Sequence, residues 1–227
     1  MPEIYVKKHG KTAQIDWLRA CEFYELGAKT DSFIFPKPLA IKGDEITYEK
    51  LEAFRRLPNC LDLANVTSRM SQIGKALALI HEKQDPVDHT KIRLHSDFGL
   101  RNLLWHRQKD RLIVTDPVFA KFYWYESYYG DRHFDLAELT WTIFVLRNFP
   151  VEVAKSPKMP QIMVKTFFES YEAATGIRID LKKVEAFALK INRSYYKNRI
   201  SANKAFYLAM PLLLFLMNKM KRVLRNL

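Results

Sequence analysis

Two short stretches, LHSDFGLRNLLW at 94–105 and LIVTDP at 112–117, constrain this chain more than any other part of it. Leu103, Leu104 and Trp105 form an apolar run, 106–110 is polar and turn-like, and Leu112, Ile113 and Val114 form a second run rich in branched side chains. Two such runs joined by a turn predict a β-hairpin. The hairpin would return Asp116, just past its second strand, to Asn102, just before its first. Pro117 has no backbone N–H to give and ends the strand there, which leaves the Asp116 carboxylate at a strand end facing a cleft. His95, Asp97, Asn102 and Asp116 thereby come close together.

That set of residue types fits one chemistry. Phosphoryl transfer from ATP needs little covalent help from a protein, but it needs a base to orient the attacking hydroxyl and oxygen ligands for magnesium. An Asp, an Asn five residues later, and an Asp at the end of an apolar strand supply those parts in order.

HSDFGLRNLL resembles the catalytic loop H-x-D-x-x-x-x-N shared by protein kinases and by the aminoglycoside phosphotransferase and choline kinase group, the small-molecule branch of the kinase-like fold. IVTDP is similar to the metal-binding strand end of that branch. IGKALALIHEK at 73–83 resembles the helix before the catalytic loop, and YYGDRHFDLAELTW resembles the family's Gly-Asp-x-x-x-Asp-Leu-Ala segment. The resemblance implies Asp97 as catalytic base, Asn102 and Asp116 as magnesium ligands, His95 as organiser of the loop, and Asp135 as a buried carboxylate bracing it. Protein kinases usually carry a Lys two residues after the catalytic Asp, where this chain has Gly99, which favours the small-molecule branch. Ser96 and Arg101 stand where that branch commonly has Gly, and for Arg101 both a phosphate contact and a solvent-exposed position are open.

The amino-terminal third carries a fainter resemblance. EIYVKKHG alternates like an edge strand, and by resemblance to a kinase lobe it supplies the Lys that pairs with the nucleotide phosphates. Lys7 is the first choice and Lys8 the second. Glu22, in the amphipathic IDWLRACEFYELGA, would be its ion-pair partner, and the backbone around Glu49 to Leu51 would hydrogen-bond adenine. One departure stands out: no Gly-rich loop lies upstream of Lys7, and the whole sequence holds seven glycines.

Composition fits a compact α+β enzyme. At 227 residues and 48% apolar content the chain can bury a substantial core. Cys21 and Cys60 show no metal or redox spacing and suggest a reducing, cytoplasmic setting. His81, His89, His106 and His133 lack the spacing of a zinc site, so magnesium is the only metal expected. The start Met-Pro-Glu carries no signal-peptide pattern.

Charge is unevenly distributed. From Val151 onward there are 15 Lys plus Arg against 5 Asp plus Glu, a surplus of ten out of the formal +12. In small-molecule kinases the helical lobe forms the acceptor pocket, so an acidic or already phosphorylated acceptor is expected, and polycationic aminoglycosides would be repelled. The densest part, KINRSYYKNRISANK at 190–204, reads equally as a solvated helix face, and nucleic acid is not an expected partner. Ala205–Met217 is an apolar run too short to span a bilayer, and Pro211 predicts a kink in it. Its readings are a buried final helix, or an interfacial element that pairs with anionic lipid through Lys219, Lys221, Arg222 and Arg225. Kinase-like enzymes that phosphorylate lipopolysaccharide core sugars at the inner face of the cytoplasmic membrane are similarly short and basic. Seven aromatics between 117 and 130 either stack on a substrate ring or pack the lobe interface.

The expected architecture is a protein-kinase-like two-lobed fold. A curtailed nucleotide lobe of two or three strands and a helix would span 1–50, and a mainly helical catalytic and substrate lobe 51–227. Two function classes remain open: an ATP- and magnesium-dependent phosphotransferase acting on a hydroxyl of a small molecule or sugar, and a catalytically impaired pseudokinase acting as a binding or regulatory module. A protein kinase is a third.

Overall fold

Alternation of side chains builds the first sheet. The computed structural model describes residues 4–117, 128–145, 158–202 and 210–227. Strand β1 (Ile4–Lys8) puts Tyr5 and Lys7 on its half-buried side and Ile4, Val6 and Lys8 on its exposed side, the period-2 pattern of a strand with one face on a core. Strands β2 (Pro38–Lys42) and β3 (Glu45–Glu49) form a hairpin, and the antiparallel order is β1-β3-β2, with Lys7 opposite Ile46. Helix α1 (Ala13–Ala28) packs back onto this sheet. Its buried stripe, Asp16, Arg19, Ala20, Phe23 and Gly27, follows the helical repeat but includes two charged residues.

The predicted hairpin is present. After β4 (Phe54–Arg56) and β5 (Ile92–Arg93), strands β6 (Leu103–His106) and β7 (Arg111–Val114) pair antiparallel with Leu103 opposite Val114, one residue longer on each side than the apolar runs suggest. β4 pairs with the outer edge of β6. The segment after α1 joins the same sheet: Ile34 N–H donates to the Leu112 carbonyl at 2.8 Å, and Val114 N–H to the Ile34 carbonyl at 3.0 Å. A short strand β8 (Tyr129–Gly130) pairs with β5.

Helices make up the rest. Within α3 (His133–Val145) every residue from His133 to Phe144 is buried, so this helix runs through the middle of the larger lobe with no solvent face. Around it lie α4 (Met159–Thr175), α5 (Leu181–Ala202) and α6 (Met210–Arg225). Trp141 Nε1 donates to Asn192 Oδ1 at 3.1 Å, tying α3 to α5. Helix α6 buries Met217, Met220 and Leu224, spaced by three and four residues. Pro211, where a kink is expected in the apolar run 205–217, is the second described residue of α6, at the edge of the described residues. The part of that apolar run at 205–209 lies outside the described residues.

Helix α2 (Val66–His81) and α4 approach closely at Gly74. A Cβ there would stand 2.7 Å from the Phe167 carbonyl oxygen and 2.8 Å from Ser170 Cβ, and Ser170 Oγ donates to Ser71 Oγ one turn away at 2.7 Å. Two backbones and a serine pair leave no flexible side chain to yield. Gly74→Ala is therefore expected to destabilise the fold by about 1–3 kcal/mol despite the higher helix propensity of Ala, read as a lower urea midpoint at unchanged slope. A stabilised Gly74→Ala protein would refute this packing.

Candidate active site

The site is organised by Asp135, in the first turn of α3. Its carboxylate is fully buried and accepts from His95 N–H at 2.7 Å, Ser96 N–H at 3.0 Å and His81 Nε2 at 3.1 Å. Two consecutive N–H groups can meet one carboxylate only if the chain turns sharply, and Ser96 has φ of 70°. That left-handed conformation costs a residue with a side chain about 1 kcal/mol or more. His81, at the end of α2, is held neutral: burial lowers its pKa more than Asp135 raises it. Its Nδ1 then accepts from Tyr171 OH at 2.7 Å.

His95 carries the turn onward. Its ring is buried, which lowers its pKa to about 4. In the neutral form Nε2 donates to the Thr115 carbonyl at 3.0 Å and Nδ1 accepts from Asp97 N–H at 3.3 Å. One imidazole thus joins the segment bearing Asp97 to the segment bearing Asp116. Gly99 follows, where a Cβ would meet Thr142 Cγ2 at 2.9 Å, so any side chain at this position would require the Thr142 side chain to shift.

Asn102 closes the loop in a tight turn, Leu100–Asn102. Its Nδ2 donates to the Asp97 carbonyl at 2.8 Å and to Asp97 Oδ2 at 2.7 Å, and its own carbonyl accepts from Thr115 N–H at 3.0 Å. With Nδ2 spent in this way, Oδ1 is the amide atom left for a cation. Asp116 follows Thr115 at φ 56°. An amide oxygen and a carboxylate are hard donors suited to magnesium, which completes its shell with phosphate and water. Among the described residues no three His, Cys, Asp or Glu side chains converge into a protein-only cage.

Asp97 oxygens are both engaged. Oδ2 takes Asn102, and Oδ1 pairs with the Arg101 guanidinium, which also lies 3.4 Å from Glu138 Oε1 on α3. Burial opposes ionisation of Asp97, but the charge of Arg101 and hydrogen bonds from Glu138, Asn102 and Arg101 outweigh it and hold its carboxyl below the ordinary range. Glu138 is driven the other way, by burial first and then by the Asp97 charge, so it stays protonated.

The nucleotide-side residues distribute differently from expectation. Lys7 Nζ lies 2.5 Å from Asp116 Oδ1, whereas Lys8, on the opposite face of β1, pairs with Asp44 at 3.2 Å. The expected Lys7–Glu22 ion pair is not formed. Glu22 Oε1 instead accepts from Arg93 and Lys83, both at 2.7 Å. The reason is register: Phe23 is the core-facing residue of that turn, and Glu22 lies beside it on the flank toward β5. Glu49 N–H donates to the Lys37 carbonyl at 2.9 Å, which removes it as a donor to adenine. Leu51 follows the end of β3, half-buried in the connection to β4.

Four partners escaped the sequence reading. Arg19 is buried and donates to the carbonyls of Pro117 and Leu94, both at 2.7 Å, while stacking on Tyr128 at 3.9 Å. Burial lowers its pKa to about 10. Asp16, one turn earlier, accepts from Thr12 and Tyr128 and lies 3.1 Å from His9 Nδ1. A signal was present, since Asp16 and Arg19 occupy core positions of the α1 stripe. Glu138 gave a similar signal inside an otherwise apolar helix, and His81 at the end of α2 did so more weakly. Of the aromatic-rich stretch, 118–127 lies outside the described residues.

The pKa of His95 sets a pH dependence. Its folded value, about 4, is below the ordinary 6.5. Between those values the unfolded chain binds the extra proton, so stability is retained above pH 6.5 and lost as pH falls toward 4. The loss is on the order of 3 kcal/mol from this group. Urea midpoints should fall from pH 7 to pH 4.5, and His95→Gln should flatten that slope. An unchanged slope in the variant would contradict the assignment.

No protein-family model matches the chain, and no curated protein matches it. Solved structures do. The choline kinase LicA from Streptococcus pneumoniae aligns with a TM-score of 0.58 at 13% identity, over 100% of this chain and 87% of that one. A glucosamine kinase, in complex with glucosamine, ADP and inorganic phosphate, aligns at 0.55 and 13% identity over 98% and 72%. An aminoglycoside phosphotransferase from Streptomyces rimosus aligns at 0.54 and 12% identity over 85% and 86%. The chain has the protein-kinase-like fold of these small-molecule kinases.

Proposed function

We propose that this protein is an ATP- and magnesium-dependent phosphotransferase that acts on a hydroxyl of a small molecule or sugar. The observation that carries this reading is the convergence of Asp97, Asn102, Asp116 and Lys7 on one side of the catalytic hairpin. Asp97 orients the acceptor hydroxyl and takes its proton; Asn102 Oδ1 and the Asp116 carboxylate hold magnesium; Lys7 moves from Asp116 to the nucleotide phosphates. Magnesium bound there neutralises charge on the β- and γ-phosphates. His95 and Asp135 keep the base and the metal ligands in register through backbone contacts alone.

Neighbours that act on choline, glucosamine and amicoumacin support a small hydroxyl-bearing acceptor. A sugar of the lipopolysaccharide core, met at the inner face of the cytoplasmic membrane, is the narrower form of this proposal. It draws on helix α6, whose exposed Leu214 (58%) and Phe215 (63%) share a face with Arg222 and Arg225. No helix among the described residues is long and apolar enough to cross a membrane. Apolar side chains beside arginines suit adsorption to an anionic lipid surface. The protein should co-sediment with phosphatidylglycerol vesicles and not with phosphatidylcholine vesicles, and Phe215→Glu should abolish the difference. Equal sedimentation with both would sink the membrane contact.

A second reading, a pseudokinase acting as a binding module, is favoured by one observation: Glu22 is held by Arg93 and Lys83, away from Lys7. Titration calorimetry separates the two. On the phosphotransferase reading, ATP binds with a magnesium-dependent component that Asp116→Ala removes. Asp97→Asn keeps that binding and lowers transfer by about 10²–10⁴-fold. Absence of ATP binding at millimolar concentration would leave the pseudokinase, and wild-type turnover by Asp97→Asn would remove Asp97 as the base.

A further inference from the structure

Three side chains, Asn102, Glu138 and Arg101, crowd the Asp97 carboxylate, so an acceptor hydroxyl has to compete with one of them for an oxygen. Asn102 is the fixed one: it is buried, it also donates to the Asp97 backbone, and its carbonyl is tied to Thr115. Arg101 is the movable one, on a long side chain that is 39% exposed beside an Asp97 that is only 13% exposed. Its inward path is closed by Glu138, a fully buried residue of α3. The guanidinium can therefore move on its exposed side and not toward α3. Releasing an arginine from a carboxylate into water is unfavourable unless another anion takes its place, and a planar guanidinium is suited to phosphate and carboxylate oxygens.

We infer that Arg101 is an acceptor-binding residue that exchanges Asp97 for an anionic group on the acceptor, so that the acceptor is a small molecule bearing a phosphate or carboxylate close to the hydroxyl that is phosphorylated. The arrangement couples recognition to catalysis: an acidic acceptor draws Arg101 away and frees Asp97 Oδ1 for its own hydroxyl, whereas a neutral acceptor leaves the base occupied. The surplus of ten positive charges after Val151 acts in the same direction at longer range. The inference rests on the phosphotransferase reading, and it adds the charge of the substrate.

Calorimetry with inorganic phosphate as the probe tests it on the full chain saturated with AMP-PNP and magnesium, where the γ-phosphate position is already filled. Phosphate should bind saturably to the wild type and at least about tenfold more weakly to Arg101→Gln, with AMP-PNP affinity within about twofold of wild type. Arg101→Lys, which keeps the charge and loses the planar fork, should fall between them, and equal melting temperatures would show that all three are folded. Equal phosphate binding in wild type and Arg101→Gln, or none in either, would overturn the inference. A loss confined to AMP-PNP, with ADP unaffected, would assign Arg101 to the γ-phosphate of ATP and overturn the acidic acceptor. Failure of the wild type to bind AMP-PNP would instead refute the phosphotransferase reading. Phosphate titration of the nucleotide-free proteins would then still decide whether Arg101 binds an anion.

Discussion

The Asp135 carboxylate is the constraint on which the site depends. An isolated charge in a protein interior is prohibitive, and it is tolerable here because three donors converge on two oxygens. The dependence is mutual. The same contacts hold Ser96 in a left-handed conformation that an isolated peptide would avoid, and that turn aims Asp97 away from the core. His95 extends the arrangement to Thr115, so one carboxylate on α3 sets the separation of Asp97 from the strand-end Asp116. Replacement of any donor would leave a buried acceptor short of a partner, which costs more than the hydrogen bond itself contributes.

Around this anchor, the charges of the site pair with one another: Lys7 with Asp116 and Arg101 with Asp97. Each pair satisfies groups that would otherwise lose hydration without compensation as the cleft narrows. Ligands of this site must then bind by exchange. On the proposed reading, a nucleotide would gain contact with Lys7 only as Asp116 gained a cation, a physical reason for nucleotide and metal to enter together.

Much of the site was legible because its signals are local. The hairpin follows from two branched apolar runs and a polar turn, and the approach of Asp116 to Asn102 follows from the hairpin. The fold class followed from the order of those motifs. Long-range pairing was not legible. Glu22 and Phe23 are adjacent in sequence but about 100° apart on the helix, and only the packed structure shows which of them faces the core and which faces Arg93. Arg19, Asp16 and Glu138 stood at core positions of helical stripes, which marks a buried charge without naming its partner.

Helix α1 illustrates what such partners do collectively. Arg19 grips the carbonyls of Leu94 and Pro117, and Glu22 grips Arg93 and Lys83, so this helix is bolted to the larger lobe at two successive turns although it follows β1 in sequence. In mechanical terms it belongs to the catalytic base plate. A rigid swing of α1 would have to break all four contacts together and expose a buried guanidinium. The β1-β3-β2 sheet packs on this same helix, so α1 is the shared frame between sheet and hairpin and is not a free lever.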